Sequence, residues 1–246
     1  MASDPSSSFA RPARGHLARV LLAALLAALP AGLRAQAPTL VTGPADVRDG
    51  DTISLGPIAI RLHGIDAPEA AQRCDSPSGG TWACGPAATA RLDALVGGRA
   101  LVCRAREVDY YGRVVATCAV QDGPAGDVSD LGAVLMAEGL AWAFTEYSDD
   151  YVPLEAAAER AGIGVWQAPT QTPWDYRADR WERAAAASPR PGCPIKGNIG
   201  GDGRRIYHTP WSPYYGRTQI DAAAGERWFC DEGDAQGAGW TAAKGR

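Results

Sequence analysis

The chain has 246 residues, enough for one ordinary domain and a second small one. A composition that is 46% hydrophobic and 21% charged excludes wholesale disorder. With 24 lysines and arginines against 28 aspartates and glutamates the net charge is −4, which excludes a broad basic face of the kind that holds nucleic acid non-specifically. Any affinity for phosphate must come from a few placed cations or from a metal ion.

In chain order, residues 1–35 are expected to be a cleaved leader. Arg11, Arg14 and Arg19 precede the apolar run 20–29, and Leu33 and Ala35 stand in the small-pocket positions of a signal-peptidase site. Cleavage after Ala37 would leave Pro38 first, which such peptidases tolerate poorly. An apolar run this short cannot span the roughly 30 Å of a bilayer's hydrocarbon core. No paired arginines or nearby cysteine suggest twin-arginine export or a lipid anchor. The mature chain is thus predicted to be periplasmic or secreted. It keeps 20 cationic and 27 acidic side chains, a net charge of −7.

Residues 40–47 read as a strand running into the turn Asp49-Gly50-Asp51, residues 52–55 as a second, and residues 58–65 as a third after Gly56-Pro57. In the third, Ile58, Ile60 and Leu62 alternate with Ala59, Arg61 and His63, so Arg61 and His63 lie opposite the core-directed aliphatics. In a small barrel that face can line a cleft. Residues 86–96 read as a helix stopped by Gly97-Gly98. Residues 100–108 and 113–120 form a hairpin around Asp109-Tyr110-Tyr111-Gly112. Residues 129–140 and 153–161 are further helices, the last with Pro153 in its first turn. This order predicts a closed barrel with packed helices, mainly β with α, and not a doubly wound sheet.

Beyond a barrel domain at 38–170, residues 171–191 read as a helical spacer (174–187) and a Pro- and Gly-rich linker. Residues 192–246 form a Gly- and aromatic-rich module too small to be stable without a staple. All six cysteines fall in the mature chain, and in an oxidising compartment an even count predicts disulfides. Cys103 and Cys118 flank the hairpin, Cys74 and Cys84 bracket one loop, and Cys193 and Cys230 stand alone in the tail. The rival is a zinc site, which would need CxxC spacing that is absent and more than the three histidines present.

Asp51 opens the second strand, while Asp66 and Glu69 closely follow the strand carrying Arg61. If those strands are neighbours, the acids share one rim. Two carboxylates with a backbone carbonyl suit a hard cation such as Ca²⁺; the alternative is that such aspartates merely cap turn N–H groups. Arg61 and Arg113 have the forked geometry that matches the equatorial oxygens of a phosphodiester transition state, and Glu69 can orient water. The alternative for each arginine is a surface salt bridge.

The strings Val47-Arg48-Asp49-Gly50-Asp51-Thr52, residues 60–69 and Asp109-Tyr110-Tyr111-Gly112-Arg113 are followed by Gly139-Leu140-Ala141-Trp142 and Gly162-Ile163-Gly164-Val165-Trp166. In that order they resemble the thermonuclease family of staphylococcal nuclease, over residues 38–180. The resemblance implies an OB-type barrel of five strands with three helices, acting as a monomeric nuclease on DNA or RNA. It implies that Asp51, Asp66 and the Ala67 carbonyl hold Ca²⁺, that Glu69 is base or water-orienting group, and that Arg61 and Arg113 bind the phosphate. Tyr111 and Tyr147 would contact the nucleotide. Two positions depart from the best-known member: Tyr110 stands where it has lysine, and Thr145 where it has an aromatic. His63 is expected to be structural. The rival functions are a non-catalytic nucleic-acid-binding module and an accessory protein of the cell envelope associated with exopolysaccharide. In the tail, Cys193-Pro194-Ile195-Lys196-Gly197-Asn198-Ile199, Ile206-Tyr207-His208 and Gly225-Glu226-Arg227-Trp228-Phe229-Cys230 resemble the small sunset module of bacterial exported proteins. Its Lys196, Arg204, Arg205 and Arg217, set among Tyr207, Tyr214 and Tyr215, read either as phosphate contacts or as ordinary packing.

Overall fold

The computed structural model describes residues 39–121 and 130–243. The expected leader, with its cleavage site, and Ser129 lie outside the described residues.

The first half is built from β1 (Leu40–Val47), β2 (Thr52–Leu55), β3 (Ile58–Leu62), β4 (Ile65–Asp66), β5 (Cys74–Asp75), β6 (Thr81–Trp82), α1 (Cys84–Val96), β7 (Ala100–Val108) and β8 (Val114–Val120). Five of these strands close a barrel in the order β1-β2-β3-β8-β7, with β7 returning to β1. The β3–β8 pairing is parallel and the others are antiparallel. Alternation decides which residues point inward. Val47, Ile53, Ile60, Leu62, Leu101 and Ala116 are buried together with the Cys103–Cys118 disulfide in one apolar core. This is the five-stranded OB-type barrel that the family resemblance implies.

The expected third strand runs shorter than 58–65. It leaves the barrel after Leu62, because Gly64 adopts a φ of +69° and turns the chain. A side chain at Gly64 would also press on the Tyr151 ring, 3.0 Å from the position of a Cβ. The strand resumes as β4, which pairs with β9 (Trp142–Ala143) instead. That break carries Asp66 off the barrel wall and onto its rim.

Helix α1 starts two residues earlier than expected, which puts Pro86 in its first turn. Helix α2 (Leu131–Ala137) is shorter than expected at both ends. Asp130 caps it by accepting from the Ala133 N–H at 3.2 Å. Helix α3 (Val152–Ala161) ends on Gly162. The two glycine-containing strings read above meet in space. A Cβ on Gly164 would lie 2.0 Å from the Gly139 carbonyl oxygen, and the Val165 N–H donates to that oxygen at 2.8 Å. Only bare backbone fits there.

Helix α4 (Pro173–Ala187) is capped by Thr172 and is no bare spacer: it buries Tyr176, and Trp181 packs on the core of the following module. That module comprises β10 (Ile195–Ile199), β11 (Arg205–His208), β12 (Arg227–Phe229), α5 (Glu232–Gly237) and β13 (Thr241–Ala242). Its sheet runs in the order β12-β10-β11-β13 over Ile195, Tyr207, Phe229, Ala235 and Trp240. The tail's cations pack. Lys196 Nζ donates to the carbonyls of Tyr215 and Thr218, Arg217 lies 4.3 Å from the Tyr214 ring centroid, and Arg204 pairs with Asp202.

The disulfides are Cys74–Cys84, Cys103–Cys118 and Cys193–Cys230, as the spacing suggests, and among the described residues no cysteine is free. Among the described residues no helix is long and apolar enough to cross a membrane. The Cys193–Cys230 bridge closes a separation of 37 residues. Replacing both cysteines by serine is expected to cost the module about 3 kcal/mol. Urea denaturation of the variant should then show the module unfolding ahead of the barrel.

Candidate active site

The site starts from strand register. Thr52 on β2 faces Arg61 on β3, so Asp51, one residue earlier, sits beside the Arg61 side chain. Arg61 Nη1 donates to Asp51 Oδ1 and Nη2 to Asp66 Oδ1, each at 2.7 Å. Asp51 Oδ1 also accepts from Thr52 Oγ1 at 3.0 Å, and its Oδ2 accepts from the Ala67 N–H at 2.8 Å. One guanidinium thus ties the start of β2 to β4. The rim shared by Asp51, Arg61 and Asp66 is present.

Glu69 is placed by a seat built from α1 and from Gln72. Gln72 is fully buried; its Oε1 accepts from the Glu69 N–H at 3.1 Å, and its own N–H donates to the Glu69 carbonyl at 2.7 Å. Gly85 lets α1 approach so closely that a Cβ there would come within 1.8 Å of the Glu69 carbonyl oxygen. The Glu69 carboxylate then meets a residue that sequence reasoning missed. Arg177 on α4 donates Nη1 to Glu69 Oε1 at 2.7 Å and to Asp66 Oδ1 at 3.1 Å, and Nη2 to Asp66 Oδ2 at 2.7 Å. A signal was there to find. Trp174, Arg177 and Trp181 lie three and four residues apart, on one face of the helix, and an arginine between two tryptophans is unusual for a solvated spacer.

Four carboxylates (Asp49, Asp51, Asp66 and Glu69) crowd around two guanidiniums. Burial, helped by Asp51, pushes Asp49 up to about 6. Burial pushes Glu69 up to about 8, with Arg177 pulling the other way. Burial also opposes ionisation of Asp66, but Arg61 and Arg177 outweigh it and hold that carboxyl below its usual range. The cluster thus sets four carboxyl groups against two guanidiniums.

These residues open onto a cleft of about 1100 Å³ that Asp51, Arg61, Glu69 and Arg177 line with Arg113, Tyr111 and Tyr147. The module's Tyr207, Trp211 and Glu232 line it too. Tyr111 and Tyr147 are 38% and 62% exposed, so their rings are open to a ligand. Tyr147 packs 5.0 Å from Phe144, which stacks in turn on Trp174. Arg113 lines the same cleft from its own hairpin turn. Asp109 closes the hairpin turn through the N–H groups of Tyr111 and Arg113 and takes Arg113 Nε at 2.7 Å, which holds this guanidinium at the turn. Among the described residues its terminal nitrogens carry no protein hydrogen bond. The partner of Arg61 at the acids is therefore Arg177. His63 does not line the cleft; its Nε2 lies 3.3 Å from Asp150.

Among the described residues no three His, Cys, Asp or Glu side chains close on a common point as a metal cage. The oxygens of Asp51 and Asp66 accept from Arg61, Arg177, Thr52 and the Ala67 N–H. Their donor chemistry (buried hard carboxylate oxygens beside the Ala67 carbonyl) nevertheless fits a divalent cation.

Residues 59–168 match the model of the staphylococcal nuclease homologue family, and residues 178–242 match that of the ArfC family. Arg177 lies in neither range. The chain is 33% identical over 164 residues to the succinoglycan biosynthesis protein ExoI of Rhizobium meliloti (strain 1021), covering 66% of this chain and 83% of that protein. It is 32% identical over 143 residues to the micrococcal nuclease of Shigella flexneri, covering 53% of this chain and 76% of that one. Identity to an uncharacterized endonuclease of Haemophilus influenzae is 29% over 127 residues, or 49% of this chain and 62% of that protein.

The buried Gln72 also donates Nε2 to the Gln171 carbonyl at 2.7 Å, so it joins the Glu69 turn to the start of α4. Gln72→Leu strands the Glu69 N–H and the Gln171 carbonyl, and is expected to destabilise the protein by about 2 kcal/mol. Chemical denaturation measures the loss.

Proposed function

This chain belongs to the staphylococcal nuclease family, and on that premise we propose that it is an exported, Ca²⁺-dependent nuclease that hydrolyses phosphodiester bonds of DNA, RNA or both. The observation that carries the reading is that Asp51, Arg61 and Glu69 line one cleft with Arg113, Tyr111 and Tyr147, while Asp66 lies buried directly behind Arg61 and bonded to it.

Hydrolysis joins a water oxygen to phosphorus, breaks one P–O ester bond whose electron pair leaves on the sugar oxygen, and needs an acceptor for the water's proton and a proton from solvent for that departing oxygen. Glu69, which lines the cleft, orients that water and takes the proton on a carboxylate oxygen. Arg113 has terminal nitrogens free for the equatorial oxygens of the phosphate. Arg61, fixed between its two aspartates, offers a positive charge that needs no reorganisation. Asp51, Asp66 and the Ala67 carbonyl would hold Ca²⁺, which supplies Lewis-acid stabilisation of the charge that develops on the phosphate. Tyr111 and Tyr147 give open rings for stacking on the nucleotide.

In this reading residues 38–170 are the catalytic domain, 171–191 carry α4, and 192–246 form the module. Pairing of all six cysteines supports export, since such bonds persist in oxidising compartments. Similarity to a protein named for succinoglycan biosynthesis raises a role on envelope polysaccharide as a second reading. What favours the phosphodiester is that Asp66 and Glu69 are tied to guanidiniums, whereas glycoside hydrolysis uses a carboxyl pair flanking a sugar bond.

The test is digestion of DNA and RNA by the mature protein, with Ca²⁺ or with chelator. Glu69→Ala and Arg113→Ala should each lower turnover by a factor on the order of 10² to 10⁴, with far-ultraviolet circular dichroism unchanged. Undiminished digestion in chelator, or by either variant, would falsify the assignment.

A further inference from the structure

The three guanidiniums named at the cleft are engaged in different ways. Arg113 keeps its terminal nitrogens free. Arg61 spans two aspartates. Arg177 spends its terminal N–H groups on both oxygens of Asp66 and on Oε1 of Glu69, which leaves it poorly placed to take a phosphate. Among the described residues it is the side chain that meets the Glu69 carboxylate; the other bonds of Glu69 run through its backbone.

The seat of Arg177 is firm. Thr172 caps α4, Gln72 holds the Gln171 carbonyl from the Glu69 turn, and Pro173 and Tyr176 are buried. One turn beyond Arg177, Trp181 packs against the module's core, with its ring 6.4 Å from that of Trp211. The helix thus fixes Arg177 from both ends.

We propose that Arg177 is a positioning residue for phosphodiester hydrolysis: it holds the Glu69 carboxylate in place beside Asp66 and, as a fixed positive charge on Asp66, sets how tightly the acidic centre takes a divalent cation. This rests on the nuclease reading above. A cation that joins Asp51 and Asp66 does so against repulsion from Arg177, which already lies 2.7 Å from an Asp66 oxygen. The same side chain keeps Glu69 from swinging away from the reacting water. Removing it therefore acts in opposite directions on two measurable quantities: cation affinity rises and turnover falls. A residue that served only as scaffolding would lower both together with stability.

The experiment compares the mature protein with Arg177→Ala and Arg177→Lys. Ca²⁺ affinity is measured by calorimetry without substrate, kcat and KM on one oligonucleotide at saturating Ca²⁺, and Tm on the metal-free proteins. In Arg177→Ala, kcat is expected to fall on the order of a hundredfold with KM little changed, and Ca²⁺ to bind roughly tenfold more tightly. Arg177→Lys keeps the charge without the fork, so it should bind Ca²⁺ like the parent and recover part of kcat. The inference is overturned if kcat in Arg177→Ala matches the parent. It is equally overturned if Ca²⁺ binds more weakly in step with a lower Tm and lysine restores nothing. A parent protein that cleaves neither DNA nor RNA with Ca²⁺ would overturn the nuclease reading instead, and the calcium titration would then decide the charge relation by itself.

Discussion

Two aspartates, one just before β2 and one on β4, are buried at the rim of a small barrel, and the guanidinium of Arg61 lies between them. Burying either carboxylate unpaired would cost more than local packing returns. Register between β2 and β3 puts Arg61 opposite Thr52, and the turn at Gly64 swings Asp66 back toward it. The rest of the site is arranged around this triad. The Glu69 turn lies on α1 through Gly85, Gln72 ties that turn to α4, and α4 returns a second guanidinium to the same acids.

The acidic composition of the chain and a nucleic-acid substrate are reconciled by where its charges sit. Most basic side chains of the tail pack on aromatic rings or answer nearby carboxylates and carbonyls, so they make no polyanion-binding stripe. In the proposed reading attraction for phosphate is confined to one cleft, where acids and arginines are interleaved. Such a cleft gains little from long-range steering and relies on contact geometry.

The barrel was legible in the sequence because its signals are local: alternation in β3, the hairpin around Asp109–Gly112, and glycines that end helices. Asp51, Arg61, Asp66 and Glu69 were legible for a similar reason, since a few residues separate the last three and one turn and strand separate them from the first. The strand expected to run unbroken to residue 65 is interrupted after Leu62 by a left-handed glycine packed on the Tyr151 ring, distant in sequence, and Ile65 stays extended but pairs with Ala143 instead. Arg113 illustrates another limit. The sequence offered it a salt bridge as well as a phosphate, and the structure shows the carboxylate four residues away that holds it at the turn. Arg177 lay furthest from view, 108 residues from Glu69, and only the packing of α4 brings the two together.

The three disulfides link residues 10, 15 and 37 positions apart, and none joins the barrel to the module. A chain threading out of a membrane pore from its N-terminus would therefore complete each crosslink with the cysteine that next emerges. No thiol has to wait for a partner from another section, so oxidation and vectorial emergence run in the same order, with little call on an isomerase to undo mispaired bridges.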